Sequence, residues 1–400
     1  MTGVGSGMAL MLRDVRIAGY RSLQSIHFPV GRLSVFVGAN GVGKTNLYRA
    51  LELLQASAAG TLAHALAVEG GMESALWAGE RRRHEQARIA LRGGFAFSPA
   101  GDNDYSYEVA AGVVPSWEPV PGSGQRLPIA SAAFALEPQI KEETLVHHHR
   151  RRAHKLLERR GPAVTARDTA GERSAIATEL LASETALGAI GDGVYDPAIA
   201  MLRNTMGDWR FYHDLRTDRT SPLRQPSLAV TSPTLSSDGG NLAAVFATLS
   251  YIREDTVDLD RTIDDAFPGA GLVVPPPGRF ASFGMRFPDQ PKRTFEAAEL
   301  SDGTLRYLGL AGALLAYRLP GFIALNEPEA SLHPDLLEPL ARLIVRASER
   351  TQIWLVTHSE RLANAIARDG AIDPLTVIKR DGATWIDGLN LAGSFPEEED

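Results

Sequence analysis

The chain has 400 residues, 41 Lys and Arg against 48 Asp and Glu, a net charge of −7 and no cysteine. Disulfides and thiolate metal sites are excluded, and the charge balance gives no general pull toward a polyanion, so nucleic-acid contact would need local basic patches. No apolar run of about 20 residues is present and the apolar stretch 8–12 is too short for a signal segment, so no membrane span is expected and the cytoplasm is the expected compartment.

Residues 14–31 predict a β-hairpin leading into the apolar strand 33–37. The next residues, Gly38-Ala39-Asn40-Gly41-Val42-Gly43-Lys44-Thr45, fit G-x-x-x-x-G-K-[ST] without a mismatch, and an apolar-periodic helix then runs to about Ala58. A tight turn between strand and helix aims backbone N–H groups at a phosphate chain, and the helix dipole favours the negative charge. Lys44 reaches β- and γ-phosphates, and Thr45 offers a hydroxyl to Mg²⁺. The expected ligand is a nucleoside triphosphate with Mg²⁺. Residues 61–68, rich in alanine, predict another helix. Alternation at 87–91, 105–109 and 129–136, separated by Gly and Pro, predicts antiparallel sheet over 86–170. Residues 172–206 read as helical, and 208–213 as a strand returning to the core. A polar loop covers 216–233. Asp238-Gly239-Gly240-Asn241 caps a helix through about Ile252, and Pro275-Pro276-Pro277-Gly278 marks a turn between short strands. From Ala297 strand and helix alternate: helices at 304–317 and 334–349, strands at 322–326, 353–356 and 375–379. That order implies a mostly parallel sheet. Residues 396–400 form an acidic tail. There is no internal repeat and no long heptad segment.

The strand 322–326 ends in Asn326-Glu327-Pro328-Glu329. At the end of a core strand beside a phosphate loop, one such side chain, Asn326, serves the metal shell. The next, Glu327, can polarise an attacking water. Leu300-Ser301-Asp302-Gly303-Thr304 precedes an apolar helix. Alone it reads as an N-cap by Ser301 or Asp302. About twenty residues before the Glu-Pro strand it has the order of an ABC signature. His358, at the tip of the following strand, is placed to touch a γ-phosphate.

With these motifs the chain resembles the RecF/SMC-like branch of ABC ATPases. Within it, the chain resembles stand-alone bacterial AAA family ATPases of AbiEii-toxin-like or OLD-like type. The resemblance rests on Gly19-Tyr20-Arg21-Ser22-Leu23, the Walker A residues Gly38 to Thr45, Leu300 to Thr304, and Leu325-Asn326-Glu327-Pro328-Glu329-Ala330-Ser331-Leu332-His333-Pro334 as Walker B and D-loop. His358 matches the switch histidine. It covers roughly residues 11–60 and 295–380, and more loosely Asp238-Gly239-Gly240-Asn241-Leu242 and the whole length. It implies an α/β fold: a P-loop NTPase of ABC type, its mostly parallel core sheet flanked by helices. An antiparallel β subdomain and a helical or mixed insertion would lie between Walker A and the signature. The expected units are 1–85 (core with Walker A), 86–170 (β subdomain), 171–294 (insertion lobe), 295–385 (core with signature, Walker B and switch His) and the tail 386–400. Nucleotide contacts are implied for Gly38 to Thr45, Asn46, Arg21, Ser301, Asp302 and Gly303; metal contacts for Thr45 and Asn326; catalysis for Glu327 and His358. Two positions depart from the pattern. Asn326 stands for the usual aspartate, which removes a charge from the Mg²⁺ site and implies slow hydrolysis. Asp302 stands for a usual glycine. Gln225 and His213 are both candidates for the Q-loop residue.

One phosphate loop and one signature per chain imply a homodimer that sandwiches two ATP molecules and acts as a nucleotide-gated switch. Its output would be on DNA or on a co-encoded effector, in DNA-related or anti-phage processes. A transporter ATPase is the alternative, but Ser301 follows Gly38 by 263 positions, far more than transporter domains have. An OLD-type nuclease would need an acidic metal-binding domain after the ATPase, and no suitable carboxylate cluster beyond the acidic tail follows His358. Arg81-Arg82-Arg83-His84 and His147-His148-His149-Arg150-Arg151-Arg152 read as solvated loops or as non-specific phosphate contacts. A metal site at His147 to His149 is disfavoured, since adjacent residues converge poorly.

Overall fold

The computed structural model describes residues 10–80, 87–98, 104–113, 117–119, 126–128, 134, 136–150, 152–176, 180–213, 215–253, 256–390 and 392–395. The basic run 81–84, Arg151, the tail 396–400 and most of the strand expected at 129–136 lie outside them. The chain divides into two compact units, one formed by Met1–Gly31, Asn40–Asp208 and Val377–Asp400, the other by Arg32–Ala39 and Trp209–Thr376.

The second unit is built on parallel strands in the order Arg210–Tyr212, Phe322–Asn326, Gln352–Thr357 and Leu33–Val37, with Leu375 and Thr376 pairing beyond Leu33–Val37. Phe322–Leu325 and Ile353–Val356 are continuous apolar runs, as strands covered on both faces require. Every residue of Gln352–Thr357 is buried, and Trp354 packs on Phe36 with ring centroids 4.7 Å apart. Helices Leu337–Ser348 and Glu360–Gly370 pack on each other and on Gln352–Thr357. The helix Asp302–Leu315 is buried from Leu305 to its end. Parallel register sets Asn326 opposite Val356 and Thr357 opposite Val37, so three strands end on one edge. The strand read at 208–213 returns to this sheet as Arg210–Tyr212. The helix after Asn241 is short, Leu242–Thr248, and continues as a π-turn over Leu249–Arg253. Asn241 does not cap it. Its side chain turns back, accepting from Ser236 N and donating to Thr234 O.

The first unit is an eight-stranded antiparallel sheet. Its order is Arg173–Ala175, Ala163–Arg167, Arg152–Arg160, Gln139–His149, Tyr105–Gly112, Arg88–Ala96, Met11–Tyr20 and Leu23–Pro29. The hairpin that precedes the phosphate loop thus belongs to the same sheet as the strands after residue 86. Ile17, Leu91, Val109 and Leu157 are buried in it. Helix Lys44–Ala58 packs against Pro197–Gly207 and Ala186–Ala189. The segment 172–206 is less helical than its composition suggests. Among its described residues, Arg173–Ala175 is a strand and helices occupy Ala186–Ala189 and Pro197–Gly207. Gly191, Gly193 and Pro197 interrupt the periodicity, and Asp196 caps the second helix by accepting from Ala198 N.

Candidate functional site

From Asn40 on, the phosphate loop belongs to the first unit, where a chain of hydroxyls holds its shape. Gly43 has φ 99°, and a Cβ there would lie 1.9 Å from Thr384 Oγ1 and 2.6 Å from Ser22 Oγ. Thr384 Oγ1 donates to Val42 O at 2.7 Å, so it accepts from Ser22 Oγ at 2.6 Å; Ser22 Oγ in turn accepts from Asn46 Nδ2 at 2.6 Å. Each hydroxyl therefore has one donating and one accepting role. Thr384 N also donates to Ser22 O at 2.7 Å. Gly41, at φ 81°, has open space where a Cβ would point. No side chain caps the helix that starts at Lys44, and Asn46 N donates to Gly43 O at 3.0 Å. Lys44 is buried, while Asn40, Gly41 and Thr45 are exposed.

Arg21 has φ 49° and donates to Glu69 Oε2 through Nε (3.1 Å) and Nη2 (2.8 Å); Tyr20 OH reaches the same oxygen at 2.7 Å. Burial, and then the Glu69 charge, push the Tyr20 hydroxyl well above the ordinary range. A pocket of about 760 Å³ is lined by Arg21, Ser22, Asn46, Trp77 and Gly382.

In the second unit, the strand ends gather the remaining expected residues. Asn326 Oδ1 is buried without a hydrogen-bond partner. Glu327 takes φ 48°, its N–H donates to Val356 O at 2.8 Å, and its carbonyl accepts from Arg306 Nη2 at 3.2 Å. His358 Nδ1 lies 3.6 Å from Glu327 Oε1 and 3.2 Å from Glu329 Oε1. Glu329 was not expected to organise this group, yet it anchors it. Its buried Oε1 accepts from Thr357 Oγ1 (2.5 Å), His358 N (3.0 Å) and Ser359 N (3.3 Å), and its Oε2 is without a partner. The sequence signal was the second carboxylate in Glu327-Pro328-Glu329. His213 directly follows Tyr212, which pairs with Leu325, so register sets it beside Asn326. Gln225 is exposed after the turn Pro222–Arg224.

Ser301 is a true N-cap, its Oγ accepting from Thr304 N at 3.2 Å. Asp302 begins the helix and pairs with Arg224 at 2.6 Å. A Cβ on Gly303 would stand 3.0 Å from Ser331 O, so the helix start lies close against the turn after Glu329. Elsewhere, His147 stacks on Tyr105 with centroids 4.8 Å apart while His148 Nε2 meets Ser106 Oγ at 2.8 Å. Neighbouring side chains on a strand point to opposite faces, so His148 turns away from His147 and His149, whose ring centroids lie 6.1 Å apart.

The model of the family described as "AAA domain, putative AbiEii toxin, Type IV TA system" matches residues 33–364. The chain belongs to this AAA-domain family. This agrees with the AbiEii-like resemblance read from the motifs. A search of the curated proteins finds no match. Among solved structures, the AAA domain is similar to an Smc head bound to the C-terminal winged-helix domain of ScpA, at 14% identity over 95% of this chain and 98% of that one, TM-score 0.49. It is also similar to the SMC head domain from Thermotoga maritima (15%, 95% and 100%, 0.42). A third is the Smc head with an extended coiled coil, bound to the C-terminal domain of ScpA derived from Pyrococcus furiosus (13%, 96% and 97%, 0.47). Among the described residues, no helix is long and apolar enough to cross a membrane.

Proposed function

We propose that this AAA domain binds ATP with Mg²⁺, hydrolyses it slowly, and works as a cytoplasmic homodimer whose two copies close over two nucleotides. The observation that carries the reading is the group Glu327, His358 and Glu329 at the strand ends of the second unit, on the edge where Leu33–Val37 also ends. Gly38 to Asn46 would receive the phosphates, with Lys44 as the cation and Arg21 and Ser22 at the rim. The residues fit a hydrated metal. The orphaned Asn326 Oδ1 is an acceptor suited to a metal-bound water, and Thr45 supplies a hydroxyl. Bound Mg²⁺ would neutralise charge on the phosphates. Glu327 then accepts a proton from water. The His358 Nδ1 faces the two carboxylates, which leaves Nε2 as the nitrogen that can meet a phosphate oxygen. Ser301, Asp302 and Gly303 would face the nucleotide of the second copy. The output would fall on an effector protein or on DNA in defence; the toxin–antitoxin setting of the family description supports the effector.

The test is Glu327→Gln beside Lys44→Ala. The first should bind ATP by calorimetry and release no phosphate; the second should lose binding. Phosphate release by Glu327→Gln at the parent rate moves the base elsewhere, and unchanged affinity in Lys44→Ala removes the phosphate loop from the site.

A further inference from the structure

We infer that Arg224 is a positioning residue for the signature turn and cancels the charge of Asp302 where that turn would meet a phosphate. The inference rests on the dimeric reading above.

Arg224 closes the short turn Pro222–Arg224, and its side chain is 10% exposed. All three guanidinium nitrogens are engaged. Nη2 donates to Asp302 Oδ1 at 2.6 Å. Nη1 donates to Leu300 O at 2.8 Å, Ala298 O at 3.0 Å and Ala297 O at 3.4 Å, and Nε donates to Thr217 O at 2.8 Å. One side chain thus collects the carbonyls of the turn Ala297–Glu299, that of Leu300 and the first carboxylate of the following helix. Only a planar fork with five donors can do this; a lysine has one nitrogen.

The pairing also accounts for the acidic residue in the signature. Asp302 is 62% exposed, next to the exposed Ser301 and to Gly303. A free carboxylate there would repel a nucleotide phosphate presented by a second copy, and like charges brought together cost heavily in an interface. Arg224 supplies the opposite charge from the side of the turn that faces the protein. Ser301 Oγ, by contrast, bonds within its own helix turn, to Thr304 N at 3.2 Å and to Thr304 Oγ1 at 2.8 Å. Arg224 lies 78 positions before Asp302, so no local pattern announces the pair.

The experiment is a double-mutant cycle in the Glu327→Gln background, reading ATP-dependent dimerisation by analytical ultracentrifugation. Arg224→Ala should weaken the dimer by at least about tenfold, with ATP affinity of the dilute monomer unchanged. Adding Asp302→Gly should recover at least about threefold of that loss, because the uncancelled charge is gone while the carbonyl contacts stay lost. A merely structural arginine predicts no rescue by Asp302→Gly. Arg224→Lys, which keeps the charge, serves if the alanine variant does not fold. It should dimerise more tightly than Arg224→Gln, and equal loss in the two overturns the charge argument. If the parent dimerises and Arg224→Ala does so equally well, this inference fails alone. If the parent stays monomeric with ATP, the dimeric reading fails and takes the inference with it.

Discussion

Gly43 shows how closely one position is specified. A methyl group there would collide with Thr384 Oγ1 at 1.9 Å, and its φ of 99° suits only glycine. Gly43→Ala should weaken ATP binding by at least about tenfold and cost about 1–3 kcal/mol of stability. Thr384→Ala in the same chain removes the contact with Oγ1 but neither the 2.6 Å approach to Ser22 Oγ nor the backbone strain, so it should recover only part of the affinity. Calorimetric titration and thermal melts check both, and ATP binding by Gly43→Ala at the parent level would show that the hydroxyl chain does not shape the loop. Asn326 is tested by adding charge. Its buried Oδ1 has no partner, so Asn326→Asp should lower the Mg²⁺ concentration needed for ATP binding. Identical Mg²⁺ dependence in the two proteins would place residue 326 away from the metal.

At the scale of elements, the helix Asp302–Leu315 is fastened to the turn after Phe322–Asn326 by the buried Arg306. Its nitrogens reach Glu327 O at 3.2 Å, Leu215 O at 3.1 Å and Pro328 O at 3.5 Å. Arg306→Met strands buried carbonyls and should cost about 2–3 kcal/mol in chemical denaturation. The phosphate-loop helix carries a pH dependence of its own. Burial lifts the Glu52 carboxyl to about 7. Between about pH 4.5 and 7 the folded group keeps a proton that the unfolded one has lost, so its contribution falls as pH rises through that window. Glu52→Gln should therefore gain in melting temperature over the parent as pH goes from 5 to 7.5; a constant difference would refute the burial effect. The parallel strands are legible in the sequence because strands buried on both faces read as unbroken apolar runs. The phosphate loop and the Glu-Pro strand end are legible because their chemistry is local. Arg152–Arg160 is not, since its charges sit where a core strand should be apolar: Arg159 is buried against the carbonyls of Gly161, Glu184 and Leu181. Glu143 is likewise fully buried, accepting from Ala186 N, Leu187 N and Tyr107 OH. The Thr384 clamp is hidden for another reason. It joins Ser22 across 362 positions, and no pattern of spacing spans that distance.

At the scale of the whole molecule, the central claim is that ATP holds two copies together. A lone phosphate loop leaves the γ-phosphate open to water, and a second surface carrying Ser301 and Gly303 would close it. Ser301 also caps its own helix, so its loss has two separable effects. Ser301→Arg should block assembly by bulk at the cost of about 1 kcal/mol from the lost cap, while single-site nucleotide affinity stays close to the parent's. The most direct measurement is light scattering of Glu327→Gln with and without saturating ATP and Mg²⁺. The account predicts a monomer without nucleotide and twice that mass with it, and a monomer under saturating ATP would contradict it.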